Sequence, residues 1–181
     1  MFVRCRALLL SVAAVLLCGA AVIAGVTTPA AAAAPAAAAD HVLTVLGAGP
    51  YRIGGSLDRL VTAGLITEPS APDANGAQVA TSLGDWPGEL LLTFYHGRLA
   101  VLDTSAGTVR TAAGARVGMS FDQVDALYHG TGRLITGTGG STAYVLCYPP
   151  MAMVFGDHPI RPGVGSITVG PAWLVLRNVT S

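Results

Sequence analysis

The chain contains no lysine: its ten basic residues are all arginine, balanced by ten acids in 181 residues, and charged residues make up only 11% of the whole. Sparse, balanced charge excludes the basic footprint that nucleic acid or an anionic membrane surface would require. Cysteine is nearly missing too, with Cys5 and Cys18 in the N-terminal apolar region and Cys147 alone beyond it. A chain that loses its N-terminus therefore has no intrachain disulfide framework. Cys147 stands in the apolar run 143–148 and reads as a small buried hydrophobe, not a reactive thiol.

Catalytic signatures are also wanting. There is no G-x-S-x-G elbow and no H-E-x-x-H pair, whose spacings place a nucleophile on a strained turn or two metal ligands on one helix face. The string GTGGS at 137–141 does not join a strand to a helix start, as a phosphate-cradling loop must, and reads as a hairpin tip. No cofactor and no metal is expected.

What is present begins with Arg4 and Arg6, then an apolar run over 7–26 and an Ala/Pro-rich stretch before Asp40. A positive start, an apolar centre and small residues suited to cleavage make residues 1–39 a secretory signal peptide of the Sec type, leaving a single domain over 40–181. About 20 apolar residues can also span a bilayer, so an uncleaved N-terminal membrane anchor is the alternative. Cys18 follows the bulky Leu17, which argues against a lipoprotein. Eight arginines against ten acids, 8 − 10, give the mature chain a net charge of −2.

The main internal signal is a repetition. YRIGGSLDRL from Tyr51 and ARVGMSFDQV from Ala115 match at an offset of 64, pairing Arg52 with Arg116, Gly54 with Gly118, Ser56 with Ser120 and Asp58 with Asp122. A fixed-offset match is the mark of one structural unit used twice. Ser56 and Ser120 suit helix N-caps, Gln123 completes a capping box with Ser120, and the aspartates favour the positive end of the helix dipole. Leu57, Leu60, Val61 and Leu65 form one apolar stripe, Phe121, Val124, Leu127 and Tyr128 the other; Gly64 and Gly130 are stops. Helices this short need a sheet to lie on.

The strands follow each helix. GELLLTFYHGRLAVLD from Gly88 carries two apolar runs around His96-Gly97, a tight-hairpin pair. STAYVLCYPPMAMVFGDH from Ser141 breaks at Pro149-Pro150, which must be a turn or an edge. Short strands are expected at 78–81, 109–111 and 165–169, with AWLVLRNV over 172–179 as one more. The fold class is α+β: two tandem helix-plus-antiparallel-strands repeats, about 43–107 and 108–170, sharing one sheet, plus that C-terminal strand.

VGMSFDQVDALYHG, with Gly118, Met119, Ser120, Gln123, Val124, Leu127 and Gly130, resembles the signature of the small envelope lipoproteins of the outer-membrane β-barrel assembly machinery (BamE-like). It is also similar to the repeated motif of the β-lactamase inhibitory protein family, which has two helix-plus-strands halves in tandem. The first copy departs from the signature, with Gly55 for Met and Arg59 for Gln. The resemblance implies that fold and a mode of action, protein binding by an exposed sheet face. It carries over no inhibitory residue and no target.

The candidate interface residues are Trp86, Tyr95, His96 and Tyr148, since aromatic side chains dominate binding hot spots and alternation puts Tyr95 and Phe94 on opposite faces. His41, His96, His129 and His158 lack ligand spacing. Asp58 and Asp122 have a structural role at their helices, and Arg52 and Arg116 read as solvated charges. The function expected is a secreted or cell-surface, non-catalytic protein-binding module, inhibitor-like or envelope-associated, whose partner is another extracytoplasmic protein. The alternatives are a small extracellular hydrolase built on His and Asp side chains, with replacement of His96, His129 and His158 as its test, and a membrane-anchored envelope assembly factor.

Overall fold

The computed structural model describes residues 41–137 and 139–180, all within the second of the two units, residues 37–181, into which the chain divides. The expected signal peptide over 1–39 lies outside the described residues. None of the described helices is long and apolar enough to cross a membrane.

The architecture is α+β and mostly β. A four-stranded sheet is formed by β1 (Val42–Thr44), β2 (Gly47–Ala48), β3 (Tyr51–Arg52) and β7 (Arg110–Thr111) in the order β3-β2-β1-β7, with β1 and β7 parallel. A seven-stranded antiparallel sheet comprises β4 (Ala77–Thr81), β5 (Leu91–Tyr95), β6 (Arg98–Thr104), β8 (Arg133–Thr136), β9 (Thr142–Tyr148), β10 (Met151–Asp157) and β11 (Val164–Pro171). Its order is β4-β5-β6-β11-β10-β9-β8. Helix α1 (Leu57–Thr62) precedes the meander β4–β6, α2 (Phe121–Leu127) precedes β8–β11, and β6 meets β11 at the centre of the sheet.

Local chemistry explains these elements. His96 and Gly97 both take positive φ, 49° and 70°, the backbone twist that joins right-twisted strands through a two-residue turn. Pro149-Pro150 is the turn between β9 and β10, with Tyr148 paired to Met151 across it. Alternation then sorts the side chains. Leu92, Phe94, Leu99, Leu102, Met153, Phe155, Ile167 and Val169 face inward, and with Leu57 and Leu60 of α1, Val124 of α2 and Leu43 of β1 they make one buried core.

The two motif copies are held to the big sheet by the same bonds. Gly54 donates its N–H to Leu99 O (2.7 Å) while Leu99 donates to Gly55 O (2.9 Å); Gly118 donates to Val164 O and Val164 to Met119 O, both at 2.8 Å. Gly54 and Gly118 have φ of 83° and 90°, a region closed to most side chains. Each glycine thus lets the chain turn from the strand bond into the helix.

The caps differ. Ser120 accepts from Gln123 N (3.2 Å) and Gln123 Oε1 accepts from Ser120 N (2.9 Å), a complete capping box, whereas Ser56 makes no side-chain cap bond and Arg59, at the position of Gln123, has no acceptor to return to Ser56 N–H. Ser120→Ala is accordingly expected to cost about 1 kcal/mol and Ser56→Ala a few tenths at most. Equal losses in paired thermal melts of the two variants would show this account of the caps to be wrong.

Two expectations are corrected. The C-terminal segment is not a strand: α3 (Ala172–Val175) and α4 (Arg177–Thr180) are short helices. Ala172, Val175, Leu176 and Val179 recur at helical spacing and cover Ala143, Val145, Ala152 and Val154 on the outward face of the large sheet. Cys147 is not buried but exposed, since its pairing with Ala152 puts it on that outward face near the end of β9, beyond the apolar patch the helices cover.

Candidate functional site

The outward face of the large sheet is covered in one half and open in the other. Helices α3 and α4 close the half made by β8–β11 and reach Val101 of β6, while Val79 of β4 and Leu91 of β5 stay exposed on the same face. Three rungs follow from the register: Ala77, Tyr95 and Arg98; Val79, Thr93 and Val101; Thr81, Leu91 and Asp103. The last rung runs on to Thr168 and Val154. Val79 is 36% and Leu91 46% exposed.

Asp103 is a carboxylate that burial disfavours. Its carboxylate accepts a hydrogen bond from the Thr168 hydroxyl (2.5 Å), but burial outweighs that bond and holds the carboxyl above the ordinary carboxylate range. Beside Thr168 lies a cavity of about 240 Å³ between the sheet and the C-terminal helices, where Ser141, Thr142, Asp157 and Ser166 also line the wall. Asp157 accepts there from Thr142 N–H (2.8 Å).

The sign of the Asp103 effect follows from linkage. An acid whose folded pKa lies above its unfolded one binds more protons when folded, so its cost is absent below the unfolded value and grows as pH rises through the folded one. Asp103→Asn is therefore expected to raise the melting temperature at neutral pH, with the gap to the parent protein narrowing on acidification through the carboxylate range. A variant equal to or less stable than the parent at neutral pH would contradict it.

Of the four residues chosen from sequence, Tyr95 lies partly exposed on the open face, opposite the fully buried Phe94. His96 is beside it, exposed in the β5–β6 turn. Trp86 is elsewhere: 6% exposed, it stacks on His41 with ring centroids 4.2 Å apart and meets Tyr51 edge-on, so it offers no surface. Tyr148 is exposed, but it lines a mostly apolar hollow with Leu43, Tyr128 and Met153 on the inner side of the sheet. The fold thus brings Tyr95 and His96 together and separates them from Trp86 and Tyr148.

The remaining histidines do not converge. His41 Nδ1 pairs with Glu89, whose other carboxylate oxygen accepts from Thr108 (2.7 Å). His158 Nδ1 accepts the backbone N–H groups of Ile160 and Arg161, and His129 follows α2 with φ of 54°. Among the described residues no group of three or more His, Cys, Asp or Glu is placed to hold a metal ion.

Asp103 and the covering helices escaped the sequence reading. The signal for Asp103 was an acid at an outward position of the apolar strand LAVLD; for the helices it was the spacing of Ala172, Val175, Leu176 and Val179. No protein-family model, no curated protein and no solved structure matches the chain.

Proposed function

We propose that this chain is a non-catalytic protein-binding module that acts outside the cytoplasm and grips its partner with the open half of its large sheet. The observation that carries the reading is the contrast within one sheet face: Val79 of β4 and Leu91 of β5 are exposed, whereas the same face from Val101 of β6 across β8–β11 is closed by α3 and α4. Uncovered apolar area rimmed by polar side chains is what a partner desolvates. Tyr95 and Leu91 are the anchors; Asp103 and Thr168 supply the polar end of the patch.

The finer architecture belongs to the same reading. Two tandem units, each a helix followed by antiparallel strands, share the sheet, and the matching bond pairs of Gly54/Gly55 with Leu99 and Gly118/Met119 with Val164 support it. So does the similarity of the motif to the repeated motif of the β-lactamase inhibitory protein family. Export by the leader at 1–39 delivers the module to another extracytoplasmic protein, which it inhibits or helps to assemble.

The test is capture: residues 40–181, immobilised, are washed with culture fluid and envelope extract of the source organism. The proposal expects one stoichiometric partner held at moderate salt. It is overturned if nothing is retained, or if the purified domain turns over a substrate and loses that activity when His96, His129 and His158 are replaced by Ala.

A further inference from the structure

The two motif copies differ most at Gly55 against Met119 and Arg59 against Gln123, and these differences fall on one hollow. A pocket of about 340 Å³ opens between β3 and α1, lined by Arg52, Gly55, Ser56, Arg59, Leu60 and Leu65 among others. In the second copy Met119 packs against the core, and Gln123 ties up the Ser120 hydroxyl. In the first copy the turn is tighter, with Gly55 N donating to Arg52 O at 2.8 Å against 3.3 Å for Met119 N and Arg116 O. A Cβ at position 55 would lie 2.8 Å from Arg52 O, so no side chain fills the space.

What surrounds that space is chemically one-sided. Arg52 comes from β3 and Arg59 from α1, and neither guanidinium group makes an ion pair or hydrogen bond within the described residues. The Ser56 hydroxyl is likewise without a partner there, and no acid lines the pocket. Asp58 belongs to the adjoining hollow, which it shares with Arg59 without pairing to it. Leu60 and Leu65 form an apolar floor. Two guanidinium groups and a hydroxyl recognise a carboxylate or a phosphate, and the floor accepts a short apolar body.

The geometry points to a binding site for a small amphiphilic anion, a carboxylate or phosphate ester with a short alkyl tail, in the cleft between β3 and α1. It lies on the inner-side helix layer, away from the open sheet face, and does not depend on the partner-binding reading.

The probes are hexanoate and hexyl phosphate, with hexanol as the uncharged control, titrated into residues 40–181 at constant ionic strength and read by backbone amide chemical shifts. Saturable shifts at 52–65 are expected with a Kd on the order of 1 mM for at least one anion. Hexanol should leave those amides unmoved. The double variant Arg52→Gln/Arg59→Gln should weaken binding at least about tenfold, the loss of a charged hydrogen bond, with its melting temperature kept. Which anion binds better identifies the headgroup. Shifts that do not saturate with either anion, that cluster elsewhere, or that persist unchanged in the double variant overturn the assignment. Should that variant misfold, Ser56→Ala and Leu65→Gln provide the same comparison, and unchanged binding in both is equally fatal.

Discussion

Tyr51→Ala is expected to destabilise the domain by about 3–5 kcal/mol, the range for removing a fully buried aromatic side chain. Tyr51 is 0% exposed, and its hydroxyl lies 2.7 Å from Leu65 O and 2.8 Å from Leu83 O, able to donate to either, while Leu83 N–H points back at it from 3.3 Å. One side chain therefore fastens β3 to the exits of both α1 and β4, and its ring meets Trp86 edge-on at 6.5 Å. Burial raises the phenol's pKa above its ordinary value, in keeping with a hydroxyl that stays protonated as a donor. Tyr51→Phe separates the two contributions: it keeps the ring and removes only the hydroxyl's bond, for about 1 kcal/mol, because Leu65 O still accepts from Leu83 N–H (2.7 Å) and Leu83 O from Trp86 N–H (3.3 Å). Denaturant melts of the two variants should rank alanine well below phenylalanine. Near-parent stability of Tyr51→Ala would mean that the core is not organised as described.

The second large effect is on binding. Val79→Glu together with Leu91→Glu places two like charges on adjacent strands of the open face, at side chains already 36% and 46% exposed. Stability should shift by no more than about 1 kcal/mol, because substitutions at exposed positions remove little packing. Affinity for the captured partner should fall at least about a hundredfold, since an unpaired charge buried at an interface centre is strongly penalised. Leu46→Arg is the control: this 62% exposed residue lies between β1 and β2, away from the open face, and its replacement should leave capture intact. A partner held equally well by the double variant removes the open face from the account.

Much of the framework was legible because it is written in local chemistry. Helices begin one residue after Ser56 and Ser120, and chain reversals fall at His96-Gly97 and Pro149-Pro150. Each of those positions carries its own steric or hydrogen-bonding reason. The strands β1, β2 and β3 were not legible, being two or three residues long and held by pairing with each other and with β7. The segment 172–179 was misread because an apolar run suits strand and helix alike; what decides is the uncovered face of β9 and β10 beneath it. For the candidate site, Tyr95 was placed by alternation alone. Trp86 was not, because its burial depends on His41 and Tyr51, each far from it in the chain. Asp103 could be seen as an acid in a strand, but its burial is fixed by β11, whose Thr168 lies 65 residues away.

Hydrogen–deuterium exchange of residues 40–181, free and bound to the captured partner, tests the central claim most directly. The account predicts slowed exchange concentrated in 77–81, 91–95 and 98–104, with 41–52 and 110–131 unchanged, because the partner lies on the outward side of β4–β6. Protection confined to the two helices and the small sheet, with β4–β6 exchanging as in the free protein, would contradict it.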